Sequence, residues 1–250
     1  MPTRLDDLIT NCTPEEMFDA LGYAWVQLFN ETPKKESLLC LLCQWALETG
    51  WGKACHCWNI GNFKSKDGDG RNYVYYKCDE IFDPQTSKNY IATAQPRTFE
   101  DKYGKGPNAV YEYTDKSGNI AVVFYPDHPV ARFRAYESLH EGAIDYVSSL
   151  YNRFTLAWPY IKAGDPDQFI HQLKVQHYFT ANEDTYRKTV DSLFVSFQHK
   201  NFDMSQLPVV SDASAAQIQG LVALTLSESL PAWGGPEGGA GPSDSGPANA

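Results

Sequence analysis

The sequence lacks three features: a long apolar run, an excess of basic residues and the opening of a secretory signal. No stretch approaches the roughly 18 apolar residues that a spanning helix needs, so we expect no insertion into a membrane. Lysines and arginines number 21 against 31 aspartates and glutamates, a formal net charge of −10. This balance disfavours nucleic acid as a partner, because a basic surface is what binds phosphates. The opening residues have no charged-then-apolar profile, which predicts synthesis in the cytoplasm without a signal peptide.

The six cysteines do not require disulfide bonds, because a chain of this length without a secretion signal is expected to keep its thiols reduced. Cys40 and Cys43, followed by Cys55 and Cys57, are spaced somewhat like zinc ligands, but the first pair falls in an apolar helix rather than on a turn. Buried small side chains are the favoured interpretation, so we predict no metal and no cofactor. Residues 67–70, Asp-Gly-Asp-Gly, predict a turn, because the full spacing of a calcium loop is missing.

Helix signals are clear in the N-terminal part of the chain. Residues 13–16 form a capping box with proline at the first helical position, and apolar residues follow at helical spacing, which predicts a helix over 14–29. A second helix is predicted to begin after Thr32-Pro33 and to end at Gly50. It is apolar on nearly all sides, so we expect it at the centre of a core.

Between about 58 and 125 the pattern changes to short β-type runs separated by turns rich in Gly, Asp and Asn, which predicts a small β-rich lobe. Helix signals resume at Ser138 and Asp165, and an apolar stripe at helical spacing covers residues 186–197. The predicted fold class is therefore α+β, mainly α, with the β-rich lobe inserted between helices.

We predict one domain over residues 1–207. The remaining residues, 208–250, are expected to form one helix at about 213–228 and then a tail. The tail is too rich in glycine, proline and serine to pack by itself, so any role it has is expected in docking to a carrier particle or an assembly partner.

Glu48 is the carboxylate with the most unusual position in the sequence. No other carboxylate lies between Ser37 and Asp67, and Glu48 falls in the last turn of the most apolar helix. Burial and the negative end of the helix dipole both favour the protonated form, so this group is expected to hold its proton near neutral pH. That property suits a general acid, whereas a glutamate turned into solvent at the helix end is the alternative.

Four segments together resemble the glucosaminidase-type peptidoglycan hydrolases of glycoside hydrolase family 73. Residues 46–52 (ALETGWG) and 58–64 (WNIGNFK) are similar to the signature "A-x-E-S/T-G-W-G … N-x-x-x-x-K" of that family. Residues 133–147 resemble its "F-R-x-Y-x-S … D-Y" stretch, and residues 177–180 (HYFT) its "G-Y-A-T" turn. The resemblance implies a lysozyme-like helical core with a β lobe that flanks a substrate groove. It departs at His177, which replaces the glycine, and in a long segment before Phe133.

By this resemblance Glu48 is the general acid that protonates the glycosidic oxygen. The second catalytic group is expected at Glu80, in a context where Cys78 replaces the usual threonine, with Asp79 and Glu112 in reserve. An inverting enzyme would use this carboxylate to activate water, and a retaining one would use it as a nucleophile. Assistance by the 2-acetamido group of the substrate and a lytic transglycosylase that needs Glu48 alone remain alternatives.

Four further residues are candidates for substrate binding. Trp51, Trp58 and Tyr178 are candidate groove walls, because the C–H faces of sugars pack on aromatic rings, and Asn59 is a candidate polar partner. The alternatives are core packing for the three aromatic residues and a turn for Asn59.

The expected function is cleavage of β-1,4 bonds in peptidoglycan glycan strands by an endo-β-N-acetylglucosaminidase, for cell-wall lysis or local penetration of the wall. A muramidase or lytic transglycosylase on the same fold, and a wall-binding or virion assembly protein without turnover, are the alternatives. The expected place of action is the cell wall or periplasm, with delivery by a phage particle, holin-assisted lysis or an injection machine.

A chain truncated after Leu207 should fold and cleave purified peptidoglycan at a rate near that of the full chain, because all four motif segments precede residue 200. The tail composition offers too little apolar area to offset the entropy of ordering. Circular dichroism and a turbidity assay on purified walls would check this. A truncated protein that folds but does not cleave would show that the tail contributes to the site.

Overall fold

The computed structural model of the chain describes residues 2–82, 84–93, 96–101, 104–108, 110–114, 120–179 and 182–207. Within these ranges seven α-helices and seven β-strands occur in three blocks: two helices, a strand-rich segment, and four helices. The predicted class, α+β and mainly α, is confirmed. In the described part of the chain, no helix is both long enough and apolar enough to cross a membrane. The predicted helix at about 213–228 and the tail lie outside the described residues.

The first two helices begin and end close to the predicted positions. Helix α1 spans Pro14–Phe29, and its capping box is formed by Thr13 Oγ1, which accepts from Glu16 N, and by Glu16 Oε2, which accepts from Thr13 N. Helix α2 spans Lys35–Glu48 and is buried on all sides along most of its length. It packs against α1 and two later helices, which makes it the central helix of the larger core.

Four helices follow the strand-rich segment and complete the helical core. They are α4 Leu139–Arg153, α5 Trp158–Ala163, α6 Pro166–Val175 and α7 Glu183–Gln198. Ser138 and Asp165 cap α4 and α6 with their side chains, as the sequence predicts. The apolar stripe of α7 faces inward, and this helix packs on α2 and α6.

The strand-rich segment forms three small antiparallel sheets. Its strands are β1 Tyr73–Tyr75, β2 Cys78–Ile81, β3 Pro96–Asp101, β4 Gly104–Asn108, β5 Val110–Thr114, β6 Ile120–Phe124 and β7 Arg132–Arg134. Strand β1 pairs with β7, β3 pairs with β4, and β6 lies between β2 and β5. A second apolar core lies under this lobe and is separate from the helical one.

The lobe differs from the predicted one in three respects. It contains a helix, α3 Pro84–Thr93, whose polar composition gives no apolar stripe. The β3–β4 hairpin was not expected, because Gly104, Gly106 and Pro107 are residues typical of turns. Strand β7 lies beyond residue 125, so the strands extend past the predicted end of the lobe.

A buried ion pair joins the lobe to the helical core. Arg134, at the end of β7, donates to Asp145 Oδ2 of α4 at 2.7 Å and to Ser149 Oγ at 3.0 Å, and Arg71 Nε lies 3.1 Å from Asp145 Oδ1. Burial acts to raise the pKa of Asp145, but the two guanidinium groups outweigh it and hold that pKa below its ordinary value. The segment 133–147, which contains both Arg134 and Asp145, therefore connects the lobe to the helical core.

An N-terminal strap, residues 3–10, also connects the two parts. Leu5 N donates to Tyr73 O on β1, and Cys57 N donates to Leu8 O. The Asp7 carboxylate hydrogen-bonds the His56 ring. The strap therefore contacts both the first strand of the lobe and the loop that follows α2.

Gly142→Ala should destabilise the protein by about 1–3 kcal/mol, because a Cβ there would lie 2.1 Å from the backbone oxygen of Trp58. In an unobstructed helix the same change stabilises by about 1 kcal/mol. Gly22→Ala is the matched control: its Cβ would also meet an atom at 2.1 Å, but that atom is the flexible end of Leu207. Urea unfolding of both variants checks this, and equal effects would contradict it.

Candidate active site

The side chain of Glu48 is buried at the C-terminal end of α2. Thr49 ends the helix: its hydroxyl donates to Trp45 O at 2.7 Å and accepts from Gly52 N at 2.8 Å, which turns the chain away from the core. Burial raises the pKa of Glu48 to about 7, and a hydrogen bond from Tyr186 acts in the opposite direction. The direction of this shift agrees with the expectation from the sequence, while the role of Glu48 in catalysis stays a prediction.

Tyr186 is a component of the site that the sequence interpretation missed. Its hydroxyl donates to Glu48 Oε1 at 2.7 Å from the first turns of α7. The ring is buried and stacks on Phe179 with centroids 4.1 Å apart. In the sequence Tyr186 is one member of an apolar stripe. Its hydroxyl was the one indication in the sequence of a polar contact, because a polar atom at a core position needs a hydrogen-bond partner.

The loop after α2 connects Glu48 with the β lobe. Asn62 Nδ2 donates to the backbone oxygen of Glu48 at 3.2 Å, and Tyr76 Oη donates to Asn62 Oδ1 at 3.2 Å. The Tyr76 ring lies between the rings of His56 and Phe133, each with its centroid 3.9 Å away. This chain of contacts fixes the end of α2 relative to the lobe.

Glu80 is buried on β2 in an ion pair with Lys64, whose Nζ lies 2.7 Å from Glu80 Oε1. The same ammonium donates to Val130 O at 2.9 Å and lies 3.4 Å from Cys78 Sγ. Burial raises the pKa of Glu80 above its ordinary value, although the Lys64 charge opposes the shift. Glu48 in the helical core and Glu80 in the lobe are therefore both buried carboxyls with a raised pKa.

The two reserve positions for the second carboxylate differ in their placement. Asp79 pairs with Val123 and Glu80 with Val122, so the two acidic residues alternate between opposite faces of the sheet. Glu112 pairs with the same Val122 from the other side, which places it in register with Glu80. The side chain of Glu112 lies outside what the structure describes.

Asn59 serves the loop itself. It is fully buried, its Nδ2 donates to Phe63 O, and its Oδ1 accepts from Phe63 N, both at 2.9 Å. These two bonds close the turn over residues 59–63. Asn59 is therefore a turn residue, which was the alternative to sugar binding. Its buried amide atoms bond the backbone of Phe63 and are not placed to bind a sugar.

The aromatic candidates occupy three different environments. Trp51 is 42% exposed and places its ring edge-on to Phe197, so it offers an aromatic surface close to Glu48 in the chain. Trp58 is half-buried, and its backbone nitrogen donates to Thr10 Oγ1 at 2.8 Å. Tyr178 differs from the expected groove wall: it is buried in the helical core and its hydroxyl donates to Gly61 O at 3.3 Å.

Neither the cysteines nor the acidic turn assembles a metal site in the described residues. The six cysteines form no disulfide with one another, and no cluster of three or more His, Cys, Asp or Glu side chains is found there. Residues 67–70 form a turn, as predicted, in which Asp69 accepts from Ser65 Oγ, Lys66 N and Arg71 N. Absence of zinc from the purified protein stays a prediction for elemental analysis.

No protein-family model matches the sequence, and comparison with curated proteins gives no match. Two solved structures are similar. A peptidoglycan hydrolase mutant from Sphingomonas sp. A1 is 19% identical, with a TM-score of 0.43, over 74% of this chain and 99% of its own. The catalytic domain of the autolysin Auto from Listeria monocytogenes is 16% identical, with a TM-score of 0.41, over 78% of this chain and 91% of its own.

The stability of the protein should fall by about 3 kcal/mol, relative to Glu48→Gln, as the pH rises from about 4 to about 8. The pKa of Glu48 is raised from 4.5 to about 7 in the folded state, so the folded protein binds a proton in this range that the unfolded chain has lost. The associated stability is complete below about 4.5 and disappears as the pH passes 7. Urea unfolding of both proteins across this range checks it, and parallel pH profiles would contradict it.

Proposed function

We propose that the protein is a peptidoglycan hydrolase that cleaves β-1,4 glycosidic bonds of the glycan strand, with Glu48 as the general acid. The observation that carries the proposal is the state of Glu48: a buried carboxyl with a pKa of about 7. Such a group is protonated in a large fraction of molecules at neutral pH and can still release the proton. Protonation of a glycosidic oxygen as the bond breaks requires this combination.

Glu80 is proposed as the second catalytic carboxylate. Glycosidases use a second carboxylate either to activate water or to form a covalent intermediate. Burial raises the pKa of Glu80, and the Lys64 ammonium at 2.7 Å opposes that shift and so acts toward the ionised form that both roles need. Asp79 lies on the other face of the sheet, so the two carboxyls cannot face the same site, and the resemblance selects Glu80.

The proposed substrate is the glycan strand, and the proposed linkage is that on the reducing side of N-acetylglucosamine. The exposed ring of Trp51 supports a sugar ligand, because aromatic faces pack against the C–H faces of sugars. The proposed place of action is accordingly the cell wall. No metal or cofactor enters this proposal, since two carboxyl groups suffice for the chemistry.

A lytic transglycosylase is the second candidate. The observation that favours it is the ion pair of Glu80 with Lys64, which gives this carboxylate a structural partner and leaves Glu48 as the group free to exchange a proton. The two enzymes give different products. Hydrolysis leaves ordinary reducing ends, whereas 1,6-anhydro ends on muramic acid would identify a transglycosylase. Mass spectrometry of the muropeptides released from purified walls distinguishes them.

Glu48→Gln should reduce the cleavage of purified peptidoglycan by about 10²- to 10⁴-fold while the protein stays folded, because the change removes the transferable proton and preserves the shape. Glu36→Gln, the same substitution at an exposed position of α2, is the matched control and should retain activity. Turbidity and release of reducing sugar are the measurements. Activity of Glu48→Gln within a few fold of the wild type would remove Glu48 from the mechanism.

The same assay tests the second carboxylate. Glu80→Gln should lower hydrolysis strongly, and Asp79→Asn, on the opposite face of β2, should not. If both variants kept their cleavage activity, the transglycosylase would be favoured. A wild-type protein that binds walls without cleaving them would support the wall-binding alternative.

A further inference from the structure

The hydrogen bond between Tyr186 and Glu48 distinguishes the two carboxyl oxygens of the acid. Tyr186 Oη donates to Oε1 at 2.7 Å. In a protonated carboxyl one oxygen carries the hydrogen and the other is the better acceptor. Because Oε1 accepts from the tyrosine, the acidic proton of Glu48 belongs on Oε2.

The tyrosine is held firmly enough to make this distinction. Its ring is buried and stacked on Phe179 with an angle of 9° between the planes, and Asn182 caps the helix on which it lies. Burial and the nearby Glu48 carboxyl raise the pKa of Tyr186 well above its ordinary value. The hydroxyl therefore remains protonated and remains a donor throughout the pH range in which Glu48 titrates.

On the basis of the function proposed above, we propose that Tyr186 is a positioning residue that fixes the transferable proton on Oε2 of Glu48 and stabilises the carboxylate left after transfer. In the step itself the Oε2–H bond breaks and the proton goes to the glycosidic oxygen. The electron pair stays on Glu48, where Oε1 keeps the hydrogen bond. Tyr186 keeps its own proton and contributes only through that bond.

Two other tyrosines lie near Glu48 but use their hydroxyls elsewhere. Tyr146 Oη donates to Gln44 Oε1 at 2.6 Å, and Tyr178 Oη donates to Gly61 O. Both are as buried as Tyr186, and the charge of Glu48 raises the pKa of both after the larger effect of burial. Tyr146 is thus a matched control: it is a neighbouring buried tyrosine whose hydroxyl bonds a neutral amide instead of the acid.

The direct test is to titrate Glu48 in the Tyr186→Phe variant. The titration is monitored by infrared difference spectra against Glu48→Gln. Loss of the bond to the carboxylate should move the midpoint to a pH above that of the wild type. Tyr146→Phe should leave the midpoint unchanged while it loses a comparable amount of stability in urea. An unchanged midpoint in Tyr186→Phe would overturn the proposal. So would a lowered one, because it would show that Glu48 donates to the tyrosine.

Activity gives the second readout. Tyr186→Phe should lower kcat by about ten- to a hundredfold, which is the value of a hydrogen bond to a charged group, with little change in KM. The basic limb of its pH–rate profile should move to higher pH, since the acid must be protonated to act. A raised KM with unchanged kcat and an unchanged profile would show a role in packing alone.

A measurement on the wild-type protein covers the case in which Tyr186→Phe does not fold. The carbonyl stretch of protonated Glu48, isolated by subtracting the Glu48→Gln spectrum, should have the lowered frequency of a hydrogen-bonded carbonyl. A free-carbonyl frequency would overturn the proposal. The titration of Glu48 and its carbonyl frequency can both be measured without turnover. A wild-type protein that does not cleave peptidoglycan would therefore refute the proposed function, and the titration would still decide the role of Tyr186.

Discussion

Glu48 ends a helix that is surrounded by other parts of the fold, and the cost of placing a carboxyl group there determines much of the site. Desolvation favours the neutral acid, while the Tyr186 hydroxyl limits how far the pKa rises. The two effects act on the same side chain in opposite directions. Burial alone would make a group that keeps its proton too firmly, and full exposure would make one that has already lost it at neutral pH. The apolar sides of α2 therefore help to set the pKa of Glu48 as well as the packing of the core.

The position of that carboxyl relative to the β lobe depends on contacts that are polar and buried. Asn62 links the end of α2 to Tyr76 of the lobe, and Arg134 links β7 to Asp145 of α4. Buried hydrogen bonds and ion pairs are costly to break, because each partner would remain without a compensating group. These contacts consequently hold the lobe and the helical core in one relative arrangement.

Local signals predicted what depends on local chemistry. The capping box at Thr13 and the apolar run of α2 gave two helices with nearly correct ends, and the isolation of Glu48 in that run identified a carboxyl with a raised pKa. The β3–β4 hairpin was not predictable in the same way, because pairing between strands overrides the preferences of glycine and proline. Asn59 and Tyr178 show a related limit. A polar atom in a motif can bind a ligand or the chain itself, and only the folded structure decides between them. Tyr186 was invisible as a partner of Glu48 because 138 positions of sequence separate them.

That separation has a consequence for the order in which the protein acquires its properties during synthesis. Contacts between distant segments form late, because the entropy of closing a long loop must be overcome first. Helix α2 leaves the ribosome well before α7, which packs on it and carries the tyrosine. In the unfolded chain Glu48 is hydrated and has the pKa of an ordinary glutamate, and before α7 docks it lacks the hydrogen bond from Tyr186. The burial and the hydrogen bond that together set the pKa of Glu48 are therefore complete only after α7 has docked.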